Sequence, residues 1–235
     1  MSKRAIILCG GRGTRLQPYT VVLPKALMPI GDYPILEIVI RQLVKYGFDH
    51  ITLAVNHQAE LIETFFGNGL KWNIKIDYSL EDIPLGTMGP LKIIKDLPDN
   101  FLVMNGDVLT DLNFKDFFNE HVSNKNNFTI SSYIRDHQID YGVLSLDNTS
   151  KLNGFEEKPK KQYHVSMGVY MINRKMIDYI PSGKSYGFDQ LMLDLLEKGI
   201  PVNVKEFKGY WLDIGRHDDY AQAIEEFDKH KHLLI

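Results

Sequence analysis

The stretch AIILCGGRGTRLQPYTVVLPKALMPIG, from Ala5 to Gly31, decides how the rest of the chain is read. Ala5–Cys9 is a short, continuous apolar run, which suits a strand covered on both faces, as in a parallel sheet. It breaks at once into glycines, and Arg15 and Lys25 then follow ten residues apart. Glycine backbone can wrap phosphate oxygens with its N–H groups because no Cβ stands in the way. Arg15 offers a planar fork of donors for pyrophosphate oxygens, and Lys25 a compact charge for a single phosphoryl group. Together they point to a polyphosphate ligand. The loop is no Walker loop, for no Gly-Lys-Ser/Thr follows, and no dinucleotide fingerprint, since Leu16 stands at the last glycine position. By itself a glycine loop after a strand is equally a tight turn that needs positive φ.

Outward from this stretch, apolar periodicity alternates between 2 and 3.6. PILEIVIRQLVKY (34–46) predicts a helix stopped by Gly47, HITLAVN (50–56) a strand, and AELIETFF (59–66) a helix. NIKIDYSL (73–80) reads as a strand, GPLKIIKDL (89–97) as a short helix, and FLVMNGDVL (101–109) as a buried strand. Such alternation marks a doubly wound α/β sheet. From Phe128 the pattern becomes strand-rich, through FTISSYI, YGVLSL, KLNGFEEK and VSMGVYMI, before helical FDQLMLDLLEKG, extended VNVKEFKGYWLDIG and a final amphipathic helix in DDYAQAIEEFDKHKH. No Pro/Ser-rich linker or repeat divides the 235 residues, so one domain is expected, with halves of about 1–125 and 126–235.

GGRGTRLQPYT…PKALMPIG resembles the signature of the sugar-1-phosphate nucleotidylyltransferases, also called nucleotide-sugar pyrophosphorylases. Later landmarks of that family recur in order along the whole chain, most like the short mannose- and heptose-1-phosphate guanylyltransferases. The resemblance implies a Rossmann-like doubly wound mixed sheet, the nucleotide-diphospho-sugar transferase fold, with a smaller strand-rich sugar-binding lobe. It implies an enzyme that joins an NTP, GTP favoured, to a sugar 1-phosphate and releases pyrophosphate. By resemblance Arg15 steadies the leaving phosphates and Lys25 the phosphoryl group under attack. Leu8, Gly10, Gly11, Gly13, Thr14 and Asn56 would meet the nucleotide, and Pro84, Gly86 and Thr87 its base. Gly106, Tyr141, Gly142, Glu157, Lys158, Ser166 and Gly168 would meet the sugar phosphate, and Asp107 and Asp213 would hold Mg²⁺, with Mn²⁺ as a substitute. Ser166-Met167 stands where the family has Asn-Ala, and a hydroxyl cannot make the two-ended contact of an amide. Uridylyl transfer, a nucleotide-sugar-dependent glycosyltransferase and a non-catalytic nucleotide-sugar sensor are the competing readings.

Composition narrows the partners. A net charge of −3 argues against a nucleic-acid binder, and no apolar run nears the roughly 20 residues of a membrane span. The single cysteine, Cys9, excludes an internal disulfide and fits a reducing compartment; with charged MSKR at the start, a cytoplasmic protein is expected. Cys9 reads as a small filler of the buried strand, Trp211 as a packing anchor and His57 as a loop histidine. Asp111 reads as the cap of a helix near Phe114, Asp136 and Asp140 as solvated loop charges, and HKH (230–232) as a solvated tail. Phe227, Leu233, Leu234 and Ile235 would cover either the core or a subunit interface, so a homodimer is compatible with the sequence.

Overall fold

The computed structural model describes residues 2–235. The first apolar run is β1 (Arg4–Leu8). Three single 3-10 turns carry the glycine loop and Lys25 to a minimal hairpin, β2 (Pro29–Ile30) and β3 (Tyr33–Pro34), and then α1 (Ile35–Lys45). β4 (His50–Val55), α2 (Ala59–Phe66), β5 (Lys75–Leu80), β6 (Asn100–Asn105), β7 (Val108–Thr110) and α3 (Phe114–Ser123) follow. The second half holds β8 (Phe128–Gln138), β9 (Gly142–Leu146), β10 (Leu152–Glu157), β11 (Lys160–Asn173), α4 (Phe188–Glu197), β12 (Asn203–Phe207), β13 (Trp211–Asp213) and α5 (His217–Leu234).

Seven strands make one mixed sheet in the order β12-β8-β11-β6-β1-β4-β5. β1 pairs in parallel with β4 and β6, and β4 with β5, whereas β11 runs antiparallel to both β6 and β8. The chain steps outward from β1 to β4 and β5, then returns to β6 on β1's other side. That reversal opens a crevice at the carboxyl ends of β1 and β6, where open α/β sheets present ligand groups. Side chains alternate across the pleat. Ala5, Ile7, Leu102 and Met104 face a core under α1 and α2; Ile6, Phe101 and Val103 face a second core with Leu191 and Leu195 of α4.

A third cluster joins Leu16, Met28, Ile30, Ile35 and Ile38 to Leu212, Ile214, Phe227 and Leu234. So Phe227 and Leu234, fully buried, cover the core, and α5 is the lid on the N-terminal loop region. Gly31, at φ 56°, lies under Phe227: a Cβ there would come within 2.7 Å of the ring.

Several expectations are corrected. The 89–97 stretch is only one 3-10 turn, Gly89–Lys92, because Asp96 adopts φ 56° and Arg4 takes the carbonyls of Lys95 and Asp96 at 3.0 and 3.2 Å. The 101–109 strand is cut at Gly106-Asp107: β7 leaves the sheet and pairs antiparallel with β13. Cys9 packs against the core as the expected filler but lies one residue past β1, half-buried, with its amide on Ala54 O at 2.8 Å. The cap of α3 is Asn113, whose Oδ1 accepts from Asp116 N at 3.1 Å; Asp111 Oδ1 instead accepts from Tyr210 N at 2.7 Å. Asp136 sits within β8 and accepts from Gln162 Nε2 at 2.9 Å. His230 to His232 are the last turns of α5, and the His230 ring stacks on Tyr210 at 4.2 Å.

β9 and β10 pair only with each other among the described residues. The hairpin projects Leu144, Leu146, Leu152 and Phe155, each more than half exposed. Among the described residues no helix is long and apolar enough to cross a membrane.

Candidate active site

The glycine loop is shaped from beneath. Gly13, at φ 61°, receives Leu16 N at 2.8 Å and Thr20 Oγ1 at 2.7 Å on its carbonyl. Leu16 is buried as the anchor of that turn, which leaves Arg15 exposed on its outer side. Gly10 threads a gap: a Cβ would stand 3.0 Å from Glu81 Oε1 and 3.3 Å from Asn56 Cβ. Lys25 opens the third 3-10 turn, held by buried Ala26 and Met28, and its ammonium pairs with Asp107 Oδ2.

Asp107 follows β6 in a turn that only glycine allows at 106, since a Cβ there would meet Cys9 Sγ at 2.8 Å and Leu8 O at 3.2 Å. The β7–β13 pairing sets Asp213 opposite Val108, and Ile214 N donates to Asp107 O at 3.1 Å. Two aspartates more than a hundred residues apart are thereby neighbours. Burial, then the nearby Asp107 carboxylate, raise the Asp213 pKa above its ordinary range. Asp107 Oδ1 is buried with no hydrogen-bond partner. An orphaned carboxylate oxygen beside a second, half-buried carboxylate fits a divalent cation. Among the described residues no group of three or more His, Cys, Asp and Glu is arranged to hold a metal ion by itself. Two carboxylates are what Mg²⁺ accepts when phosphate oxygens and water complete its shell.

These parts surround one cavity of about 650 Å³. One wall is Gly10, Gly11, Gly13, Thr14 and Arg15 with Lys25; the floor is Leu8, Gly106 and Asp107; the far wall is Asn56, Pro84, Gly86 and Thr87. Every residue predicted to meet the nucleotide lines it. The far wall is tied to the segment before α4. Gly86, at φ 77°, packs on the backbone of Tyr186, where a Cβ would come within 2.8 Å. Tyr186 N donates to Leu85 O at 2.8 Å and Tyr186 O accepts from Met88 N and Gly89 N at 3.0 and 3.1 Å. Thr87 Oγ1 is taken by Phe188 N at 2.7 Å.

Sequence reasoning missed Glu81, a buried carboxylate on the far wall that accepts Leu85 N at 2.9 Å and whose pKa burial raises. Its signal was an acid three residues before Pro84, where a strand ends. A second cavity, about 290 Å³, adjoins Arg15 and Asp213 and brings in Arg135, Trp211, Arg216 and Asp219. Of the sugar-side residues only Gly106 lines either of these two cavities. Gly168, at φ 73°, packs on Asn105 of the floor, and Ser166 Oγ meets Tyr170 OH at 3.0 Å. Tyr141 is exposed, Gly142 faces Glu157 across the β9–β10 pair, and Lys158 sits beyond β10 at φ 47°.

Comparison with known proteins bears on the whole arrangement. The heptose enzyme D-glycero-alpha-D-manno-heptose 1-phosphate guanylyltransferase of Aneurinibacillus thermoaerophilus is 34% identical, over 94% of this chain and 97% of its own length. A UTP--glucose-1-phosphate uridylyltransferase of Synechocystis is also 34% identical over 94% of this chain, which spans 62% of that relative's length. The crystal structure of HddC from Yersinia pseudotuberculosis complexed with GMP-PN superposes with a TM-score of 0.72 at 29% identity, covering 96% of this chain and 99% of that one. The fold is thus the nucleotide-diphospho-sugar transferase fold. Residues 4–230 match the nucleotidyl transferase family model, a span that takes in both cavities and both aspartates, and the chain belongs to that family.

Proposed function

We propose that the chain transfers a nucleoside monophosphate from an NTP to a sugar 1-phosphate, yielding a nucleotide-sugar and pyrophosphate. GTP and a mannose- or heptose-type sugar phosphate are the favoured pair, in keeping with the full-length similarity to a heptose-1-phosphate guanylyltransferase. The observation that carries the reading is the convergence of the glycine loop, Arg15 and the Lys25–Asp107 pair on one cavity whose other wall is Asn56, Pro84, Gly86 and Thr87.

The reaction needs no protein nucleophile. An anionic oxygen of the sugar phosphate attacks the α-phosphorus, the new P–O bond forms, and the bond to the β-phosphate oxygen breaks with its electron pair leaving on pyrophosphate. The difficulty is bringing two anions together. Lys25, fixed by Asp107, offers its charge to the phosphoryl group under attack; Arg15 and the amides of Gly11–Thr14 hold the departing phosphates. Asp107 and Asp213 would hold Mg²⁺, which when bound supplies charge neutralisation across the phosphates. Gly10, Asn56 and Gly86 position the nucleoside, so that alignment contributes much of the rate.

A matrix of four NTPs against hexose and heptose 1-phosphates, read by pyrophosphate release, tests the reading. Release that depends on a sugar phosphate, greatest with GTP, is expected. Release from no pair would end it, and release with UTP and glucose 1-phosphate would favour the second reading, uridylyl transfer, motivated by the Synechocystis relative.

A further inference from the structure

Arg135 and Arg216 stand outside the roles described so far, yet with Arg15 they ring the 290 Å³ cavity that adjoins the carboxylate pair. We propose that this cavity is a second phosphate subsite, in which Arg135 and Arg216 hold a phosphate that is not part of the nucleotide bound in the larger cavity. The inference rests on the reading of the larger cavity as the NTP site.

Four observations carry it. The three guanidinium groups come from separate elements: the Thr14–Leu16 turn, β8 and the start of α5. Among the described residues, ion pairs engage Arg4, Arg41 and Arg174 but none of these three. Asp219, which lines the same cavity, accepts the amides of Gly215 and Arg216 on Oδ2, at 3.1 and 2.8 Å. Arg135 is held in place: its guanidinium lies 4.9 Å over the Trp211 ring, and Trp211 is itself fixed by Nε1 donating to Met167 O at 3.1 Å and by Tyr133 at 5.3 Å.

Stacking uses the face of a guanidinium and leaves its edge donors free for a tetrahedral anion. The Arg15 guanidinium lies against Gly215, where a Cβ would stand in ordinary contact at 3.5 Å from both Nη1 and Nη2. The N-terminus of the 18-residue α5 adds the positive end of its dipole. Unpaired cations around a concavity, beside a site that already manages phosphates, select a phosphate group. The reaction offers two such groups that are not part of the nucleotide: the pyrophosphate once its bond to the α-phosphorus has broken, and the phosphate of the incoming sugar.

Equilibrium titration of the full chain with Mg²⁺ and each of three probes, inorganic pyrophosphate, mannose 1-phosphate and GTP, distinguishes them. In the Arg135→Ala and Arg216→Ala variants, affinity for pyrophosphate or mannose 1-phosphate should fall about tenfold or more, the scale of a lost charged hydrogen bond. GTP affinity should move less than about threefold, and Arg135→Lys should recover part of the loss. A fall for pyrophosphate assigns the subsite to the leaving group, and a fall for mannose 1-phosphate to the acceptor. Unchanged affinity for both, or a loss for GTP as large as for them, overturns the inference. The titrations read binding, so they decide this point whatever turnover assay decides about the reaction.

Discussion

The nucleotide side and the hairpin side of this molecule are built in opposite ways. The larger cavity is walled by loops that spring from the ends of central parallel strands, each loop pinned by buried anchors and backbone bonds. Among the described residues the β9–β10 hairpin hydrogen-bonds to no other strand, and it carries Gly142 and Glu157 on a ribbon with its apolar side chains in water. A two-stranded ribbon is marginal in isolation. The difference teaches that the cavity proposed to grip phosphate is preorganised, whereas the proposed sugar contacts would come from an element held by few neighbours.

The comparison can be broken in several places. The largest effect should come from Lys25→Ala, which removes the preformed cation and leaves Asp107 wholly unpaired: kcat should fall by about 10²-fold or more in a pyrophosphate-release assay. Near-normal turnover would deny that the N-terminal site is the preorganised one. Acid should act on the packed half next. His121 is buried, its Nδ1 against Thr129 Oγ1 at 2.8 Å, and burial lowers its pKa from 6.5 to about 4. The unfolded chain then binds the proton more readily, so stability is full above pH 6.5 and falls as pH drops toward 4. The loss approaches about 3 kcal/mol. Denaturant midpoints at pH 7 and pH 4.5, compared with a His121→Gln variant, would read it, and a variant with the same pH slope would remove the assignment.

Smaller effects sharpen the contrast. Gly86→Ala puts a methyl on fixed backbone at positive φ and should cost about 2 kcal/mol in thermal or denaturant unfolding. Lys158→Ala, on the hairpin side, should raise KM for the sugar phosphate about tenfold while NTP affinity holds, the size of one charged contact. Equal losses for both substrates would merge the two sides into one unit. Smallest of all should be Gly142→Ala. Its methyl would meet the Phe155 ring at 2.6 Å, but Phe155 is 63% exposed and can turn away, so a change under about 1 kcal/mol is expected. A cost matching that of Gly86→Ala would show the hairpin to be as tightly set as the base wall.

The same contrast explains what could be read from sequence. α2 and the central strands were legible because their apolar periods run unbroken between turn residues. The residues expected to meet the nucleotide were legible because all but Asn56 lie in two short stretches, 8–25 and 84–87, whose identities resemble a known signature. The break after Asn105 was not, because β7 is as apolar as a continuing strand and only its partner β13, far along the chain, takes it away. Arg135 and Arg216 gave no signal, since each is an isolated surface cation until tertiary structure sets them around Trp211 and Asp213. Glu81 was passed over for a like reason, its burial being a product of packing against Gly10 and Leu85.

The bonds between Leu85, Met88, Gly89 and Tyr186 have a consequence for anyone rebuilding the enzyme. Residues 84–87 are stitched to a residue about a hundred positions downstream, so they are not a detachable cassette. Transplanting them from a relative with different base preference would carry half a seam. A chimera that moves both edges together, the 81–89 loop and the 184–190 approach to α4, is the smallest graft in which the recipient keeps its stitching.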